Sequence, residues 1–157
     1  MPSRIYFSGP AGLTILSATP ILDTNIYAAG DTLFTTLAVT GVARGANAPV
    51  LLRNIYVIDK DDQKPVFDIY FFDRTVTFGA FNVVPAISNA DAGYCQGYVS
   101  IAAGDYKDLG GVSVAKVSVE MILQPLATSL FIAGVNLSGT PTHTAAGLVL
   151  KFGIARE

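Results

Sequence analysis

The acidic cluster that follows the apolar run 50–59 contains the residue types best suited to cation binding. Asp59, Asp61 and Asp62 resemble the start of a calcium loop. Lys64, however, stands where such a loop needs glycine at its sixth position, and no glutamate closes the loop at its twelfth position. We interpret the cluster as a charged turn that keeps the strand ends soluble, with an adventitious cation site as the alternative.

Acid–base and nucleophilic chemistry has few candidate residues. His143 is the only histidine, and no nucleophile elbow lies near it in its Thr-rich loop. The sequence therefore predicts that His143 is a solvated loop residue. Cys95, the only cysteine, provides no disulfide or zinc-ligand spacing, and we interpret it as a small buried apolar residue. No catalytic residue, metal or cofactor is predicted, and we expect the protein not to be an enzyme.

The composition instead favours contact with other chains. The 157 residues fit one domain, and 51% of them are hydrophobic while only 14% are charged. Soluble domains average about 25% charged residues. Because soluble monomers rarely expose large apolar patches, we expect other protein chains to cover part of this surface.

Charge and hydropathy argue against two other kinds of partner, nucleic acids and membranes. The formal net charge is -2, and the ten Lys and Arg residues are scattered without a basic cluster, which disfavours nucleic-acid binding. No apolar run approaches the roughly 20 residues of a transmembrane helix. The N-terminal segment also lacks the continuous apolar region of a secretion signal, so we expect synthesis in a cytoplasm and no membrane partner.

Two apolar runs, 50–59 and 66–73, are rich in β-forming residues and are joined by the polar linker 60–65. We predict that they form the central hairpin of a β-sandwich. Successive side chains of a strand point to opposite faces. One face of the second run then carries Phe67, Ile69 and Phe71, and the other carries Asp68, Tyr70 and Phe72. The second face, with two aromatic residues, is predicted to be buried against something outside its own sheet.

Alternating and apolar patterns predict six further strands, and turn residues separate them. These strands are 32–41, 75–84 with a bulge near Gly79, 97–103, 115–123, 129–135 and 148–155. The turn-rich stretch 85–94 predicts a single capped helical turn, and 104–111 predicts a loop. Roughly eight strands without a helix-length segment predict an all-β, antiparallel β-sandwich that is jelly-roll-like.

The N-terminal part of the chain differs from the rest in its pattern. Residues 1–31 have little charge, and their Gly and Pro residues resist both helix and long strand, so we predict an extended N-terminal arm. Residues 32–157 are predicted to form a single β-sandwich domain. The arm either packs on its own domain or reaches a neighbouring subunit by strand addition, and the sequence leaves both open.

Three stretches of the chain resemble the capsid decoration, or cement, proteins of tailed bacteriophages. They are DIYFFDRTVTF, ISNADAGYCQGYVSIAAGDYKDLGG and SLFIAGVNLSGTPTHTAAGLVLKFGIARE, within about residues 50–157. The recognisable marks are the strand end at Phe72 and Asp73, the turn at 104–106 and the loop 139–142 before the final strand.

This resemblance implies a β-sandwich protein of the virion, made in the host cytoplasm and placed on the capsid exterior. It implies a homodimer or homotrimer that bridges major capsid protein subunits, and it implies no catalytic residues. Aromatic residues dominate interface hot spots. We therefore predict Ile5, Tyr6 and Phe7 in the arm, and Tyr70 and Phe72 in the second apolar run, as interface anchors.

Two alternatives accompany these predictions. The second sheet of the same sandwich could bury Tyr70 and Phe72, which would remove them from any interface. The chain could also be a tail or fibre jelly-roll module that binds host carbohydrate through loop residues such as Tyr94, Asp105 and Tyr106.

Overall fold

The computed structural model describes residues 12–156, and strands dominate this part of the chain. This described part contains nine strands: β1 (Leu13–Ala18), β2 (Thr32–Val39), β3 (Val50–Asp59), β4 (Val66–Phe72), β5 (Cys95–Ile101), β6 (Tyr106–Asp108), β7 (Ser113–Leu123), β8 (Leu130–Ser138) and β9 (Leu148–Arg156). One helical turn, α1 (Asn89–Ala92), and a 3-10 turn at Ala103–Asp105 complete the elements. Within residues 12–156, none of the helical segments has the length and apolar character needed to cross a bilayer.

The strands form two antiparallel sheets, which confirms the predicted β-sandwich. The larger sheet has the order β1-β9-β3-β7-β6, and the smaller has the order β2-β8-β4-β5. The eight-stranded jelly roll consists of two facing layers of four strands, β1-β9-β3-β7 and β2-β8-β4-β5. The ninth strand, β6, extends the larger sheet at the free edge of β7 and lies in a stretch predicted to be a loop.

The predicted hairpin of β3 and β4 is wrong, because the two strands lie in different sheets. β3 pairs with β7 and β9, whereas β4 pairs with β5 and β8. The Asp59 carboxylate accepts hydrogen bonds from the backbone N–H of Asp61 (3.1 Å) and of Lys64 (2.6 Å), which curves the linker 60–65. Stacked sheets lie about 10 Å apart, a gap that six residues can span.

The main core lies between the sheets, where the predicted alternation is confirmed. Phe67, Ile69 and Phe71 of β4 are buried there, and so are the alternate residues Leu148, Leu150, Phe152 and Ile154 of β9. The rings of Phe71 and Phe152 meet edge to face, with centroids 6.1 Å apart. Burying side chains of this size stabilises the fold by about 1.5–3 kcal/mol each.

Residues 73–88, here called the covering segment, do not form the strand predicted at 75–84. Gly79 has φ +123° and Asn82 has φ 55°, and these left-handed conformations interrupt an extended backbone. The segment crosses the outer face of the smaller sheet and places Val76 and Phe78 against Phe72. The predicted helical turn then follows as α1, with Ser88 Oγ accepting from the backbone N–H of Asp91 at 3.0 Å.

The described part of the predicted arm packs on its own domain. β1 pairs with β9 along its whole length, from Leu13 opposite Ala155 to Ala18 opposite Leu150. The domain division predicted at residue 31 leaves β1 outside the sandwich, whereas this pairing makes it a strand of the larger sheet. Leu16 and Ala18 on the inward face of β1 pack on the main core.

Candidate functional site

Tyr70 and Phe72, two of the predicted interface anchors, lie on the outer face of the smaller sheet as the alternation predicted. Phe72 is only 1% exposed, because Phe78 of the covering segment packs on it with ring centroids 6.0 Å apart. The chain's own segment therefore covers Phe72, not the second sheet, and leaves almost none of this ring open to a partner. Tyr70 is half-buried and packs beside the exposed Tyr98, with centroids 5.7 Å apart.

The three predicted anchors Ile5, Tyr6 and Phe7 lie outside the described residues. Their role stays a prediction.

An apolar groove lies between Tyr70 and the covering segment. Phe72, Phe78 and Ile87 line it, and Cys95 stands at its margin. Cys95 is exposed, so its predicted burial is wrong. It starts β5, the edge strand of the smaller sheet in the described part of the chain. Asp68 lies on the same face and accepts hydrogen bonds from Ser100 and from the Tyr70 hydroxyl. Burial, and then the Asp68 charge, raise the pKa of Tyr70, so the phenol stays neutral and donates.

The outer face of the larger sheet carries an apolar row that the sequence reasoning missed. Leu13 lies opposite Ala155, Ala155 opposite Leu51, and Leu51 opposite Ile122. Directly opposed residues share a face, and Leu13 and Ile122 are 62% and 75% exposed. Ile15, two residues along β1, adds a side chain that is 62% exposed. We call these five residues the apolar edge patch.

The strand at one end of this patch has a free edge. β1 pairs with β9 on one side, and among the described residues no strand pairs with its other side. Proteins usually protect such edges with charges, proline or bulges, and Leu13–Ala18 contains no charge and no proline. The uncharged alternation of Leu13 and Ile15 was the signal available in the sequence.

The end of the sandwich near the linker 60–65 brings Asp59 and Asp61 together with His143. The prediction of a solvated histidine is wrong: His143 is 2% exposed, because the loop between β8 and β9 folds over the linker. Its Nδ1 lies 3.6 Å from Asp61 Oδ2, and neither ring nitrogen has a hydrogen-bond partner among the described residues. Burial lowers the pKa of His143, although the charges of Asp59 and Asp61 oppose this shift. One ligand atom from each of the three residues lies within 4.8 Å of the others.

The residues suggested for carbohydrate binding do not present a common surface. Tyr106 is buried, and its hydroxyl donates to the Pro65 carbonyl at 2.8 Å, so this ring offers no stacking face. Burial also raises the pKa of Tyr106. The Arg74 guanidinium lies over the Tyr94 ring at 4.0 Å, and Asp105 accepts from the backbone N–H of Ala102 at 2.8 Å. Each of the three side chains thus already makes a contact within the protein.

Comparison with known proteins adds only distant likenesses. No family model matches the chain, and no curated protein matches it by sequence. An adhesin domain of Lys-gingipain from Porphyromonas gingivalis is similar at 8% identity and a TM-score of 0.33, with 76% of this chain and 63% of that chain covered. A chain in a structure of infectious bursal disease virus, Gx strain, is similar at 13% identity and a TM-score of 0.35, with 92% of this chain and 38% of that chain covered.

Maize chlorotic mottle virus gives a third likeness, at 10% identity and a TM-score of 0.28, with 92% of this chain and 94% of that chain covered. The chain thus spans less than two thirds of the length of the first two structures. Likenesses this distant do not bear on function, and the jelly roll rests on the strand pairing alone.

Proposed function

We propose that this protein is a structural component of a tailed-bacteriophage virion that decorates the outside of the icosahedral capsid. In this role it bridges major capsid protein subunits and so cements the shell. The observation that carries the proposal is the apolar edge patch, a row across four strands that is exposed on β1 and β7 and half-buried between them. It lies on a chain that has only 14% charged residues. Jelly rolls serve in viral capsid proteins and in lectins, so the fold is compatible with this role without requiring it.

The patch has the anatomy of a protein interface. Interfaces have an apolar centre and a polar rim. Arg53 and Glu120 form an exposed ion pair at 3.3 Å on the same outer face, beside Leu51 and Ile122. Covering the patch removes apolar area from water at about 25 cal/mol per Å², and this contact must break before the shell opens.

Assembly would strengthen each contact. As a homodimer or homotrimer, the protein would attach to several shell subunits at once, and avidity would exceed the affinity of any single contact. The free edge of β1 offers a second mode of attachment, since an extended segment of a partner can add to it as a further strand.

The test of the role is the copy number of the protein in purified particles, measured by quantitative mass spectrometry against the major shell protein. We expect near-stoichiometric abundance, because a cementing protein occupies repeated sites of the shell. A few to a few tens of copies would replace the proposal with a tail or fibre component. Absence from the particles would end the virion proposal.

The test of the surface uses the double variant Leu13→Glu with Ile15→Glu, scored by co-sedimentation with undecorated shells. We expect binding to weaken roughly tenfold or more, because an unpaired carboxylate at an apolar contact costs more than about 1.4 kcal/mol. Both side chains are exposed, so the β-rich circular dichroism is expected to stay intact.

The matched control carries Val84→Glu with Leu109→Glu, which adds the same charge at two exposed apolar residues outside the patch. Equal binding by the patch variant and the control would exclude the apolar edge patch as the contact surface.

A further inference from the structure

We propose that Asp59, Asp61 and His143 form a binding site for a divalent transition-metal ion, for which Zn²⁺ is the best-fitting candidate. The site lies at the end of the sandwich and is independent of the apolar edge patch and of any role in a virion. It joins the linker 60–65 to the loop between β8 and β9.

The first argument is the state of the histidine. His143 is only 2% exposed, yet neither of its ring nitrogens has a hydrogen-bond partner within residues 12–156. Buried polar groups are nearly always paired, since an unpaired one costs about 1–3 kcal/mol. The 3.6 Å between Nδ1 and Asp61 Oδ2 is too long for a good hydrogen bond. Two ligands bonded to one zinc ion at about 2.0–2.1 Å lie roughly 3.3–3.4 Å apart, which is close to this distance.

The second argument is the charge. Asp59 is fully buried, and its carboxylate lies within 4.8 Å of Asp61 and His143. Among residues 12–156, no lysine or arginine forms an ion pair with either aspartate. The nearby Lys64 instead pairs with Asp62 (3.2 Å) and Asp108 (2.9 Å). Two adjacent carboxylates in a buried site repel each other, and a divalent cation removes this repulsion.

The third argument is that hydrogen bonds already orient both carboxylates. Asp59 accepts from two backbone N–H groups of the linker. Asp61 Oδ2 accepts from the backbone N–H of Thr144 at 2.8 Å, and the Thr144 hydroxyl donates to the same carboxylate. A carboxylate has about four lone-pair positions, so each aspartate keeps positions for a metal. Such supporting hydrogen bonds are typical of the surroundings of metal ligands.

The ligand set selects the class of ion. Imidazole nitrogen favours zinc and other transition metals, whereas magnesium and calcium prefer sites made only of oxygen. Carboxylate oxygen and imidazole nitrogen are both zinc ligands, and a site with three protein ligands leaves a fourth position for water. Because the three residues come from chain segments about 80 residues apart, a bound ion would clamp two loops and stabilise the folded state.

The test is metal uptake by the full chain after treatment with a chelator. All proteins carry Cys95→Ser, because this exposed thiol could bind zinc by itself. The protein is dialysed against Zn²⁺, the bound metal is counted by mass spectrometry, and the shift in Tm is measured with Zn²⁺ and with Mg²⁺. We expect one zinc ion per chain, a higher Tm with Zn²⁺ and no comparable shift with Mg²⁺.

Three variants locate the bound ion. Asp61→Asn keeps the side-chain shape, and His143→Ala removes the imidazole; each is expected to weaken zinc affinity at least about tenfold. Asp62→Asn is the matched control, because it makes the same change in the same linker at a side chain that pairs with Lys64 and Ser113. If His143→Ala does not fold, as judged by circular dichroism, Asp61→Asn decides the question.

Two results would overturn the site. One is the lack of saturable zinc uptake by the parent protein. The other is equal zinc affinity in the Asp61→Asn and Asp62→Asn proteins, which would show that any bound ion lies elsewhere.

Discussion

At the scale of single residues, Gly134 shows how a missing side chain positions a core ring. A Cβ at this position of β8 would lie 2.7 Å from Cδ1 and 2.8 Å from Cζ of Phe34. Phe34 in turn packs edge to face on Phe67, with centroids 6.4 Å apart. The glycine is therefore required by close approach inside the sandwich.

We expect Gly134→Ala to lower the free energy of unfolding by about 1–3 kcal/mol, because the added methyl group forces a buried ring out of place. Urea denaturation measures the change. Gly45→Ala is the control, since an added Cβ there meets no atom of the described residues within 4 Å. Equal stability of the two variants would contradict the close packing of Phe34 on β8.

Tyr27 is a residue whose burial predicts a response to alkaline pH. Its hydroxyl accepts from the backbone N–H of Asp23 (2.6 Å) and donates to the Leu33 carbonyl (3.0 Å). Burial raises the pKa of Tyr27 from 10.0 to about 12. Between these values the folded state holds a proton that the unfolded state has lost, so stability falls as pH rises.

We therefore expect the ionisation of Tyr27 to add no pH dependence to the free energy of unfolding below pH 10. From pH 10 towards pH 12 it is expected to lower that free energy. Denaturant titrations across this range measure the slope. Tyr27→Phe removes the ionisable group, so a slope that is no shallower in this variant would assign the alkaline sensitivity to other residues.

At the scale of elements, the covering segment determines which aromatic residues the smaller sheet exposes. Thr36 Oγ1 of β2 donates to the Val76 carbonyl at 2.7 Å, and the backbone N–H of Thr77 donates to Asp91 at 3.1 Å. Phe78 contributes the apolar contact, with its ring 6.0 Å from those of Tyr70 and Phe72. The backbone N–H of Asn82 also donates to the Thr32 carbonyl at 2.9 Å, so the segment is hydrogen-bonded to β2 as well as packed on β4.

We expect Phe78→Ala to cost about 3 kcal/mol and to expose Phe72, because the side chain that covers this ring is lost. Stability and binding of an apolar fluorescent dye measure the two effects. Phe81→Ala is the control from the same segment, since Phe81 is already partly exposed. Dye binding that rises equally in both variants would show that Phe78 does not cover the sheet.

At the scale of the whole molecule, the charge content bears on the proposed role. The net charge is -2, and charged residues make up only 14% of the chain. Attachment through an apolar surface removes apolar area from water, and salt screens charge–charge attraction without weakening this effect. The mode of attachment is therefore open to a test that changes ionic strength alone.

We expect the protein to remain bound to capsid shells when the salt concentration is raised, measured by co-sedimentation in low and high salt. The Arg53–Glu120 ion pair is exposed, and its screening is expected to change binding little. Release at high salt would show that charged contacts carry the attachment, and this would contradict a contact through the apolar edge patch.

The sequence by itself determined the all-β class, the inner faces of β4 and β9, and the capped turn at Ser88. These features depend on local patterns: alternation sets the face of a strand, and a side-chain oxygen caps the turn that follows it. It also favoured a surface with apolar contacts, because so few charged residues were available to cover the protein.

Only the tertiary structure decided which strands pair and which side chains meet. An apolar run has the same pattern in either sheet, so the separation of β3 from β4 could not be read from it. The burial of Phe72 depends on the path of the covering segment, and the burial of His143 depends on two loops that meet at one end of the sandwich. Both result from contacts between distant parts of the chain, for which local periodicity contains no information.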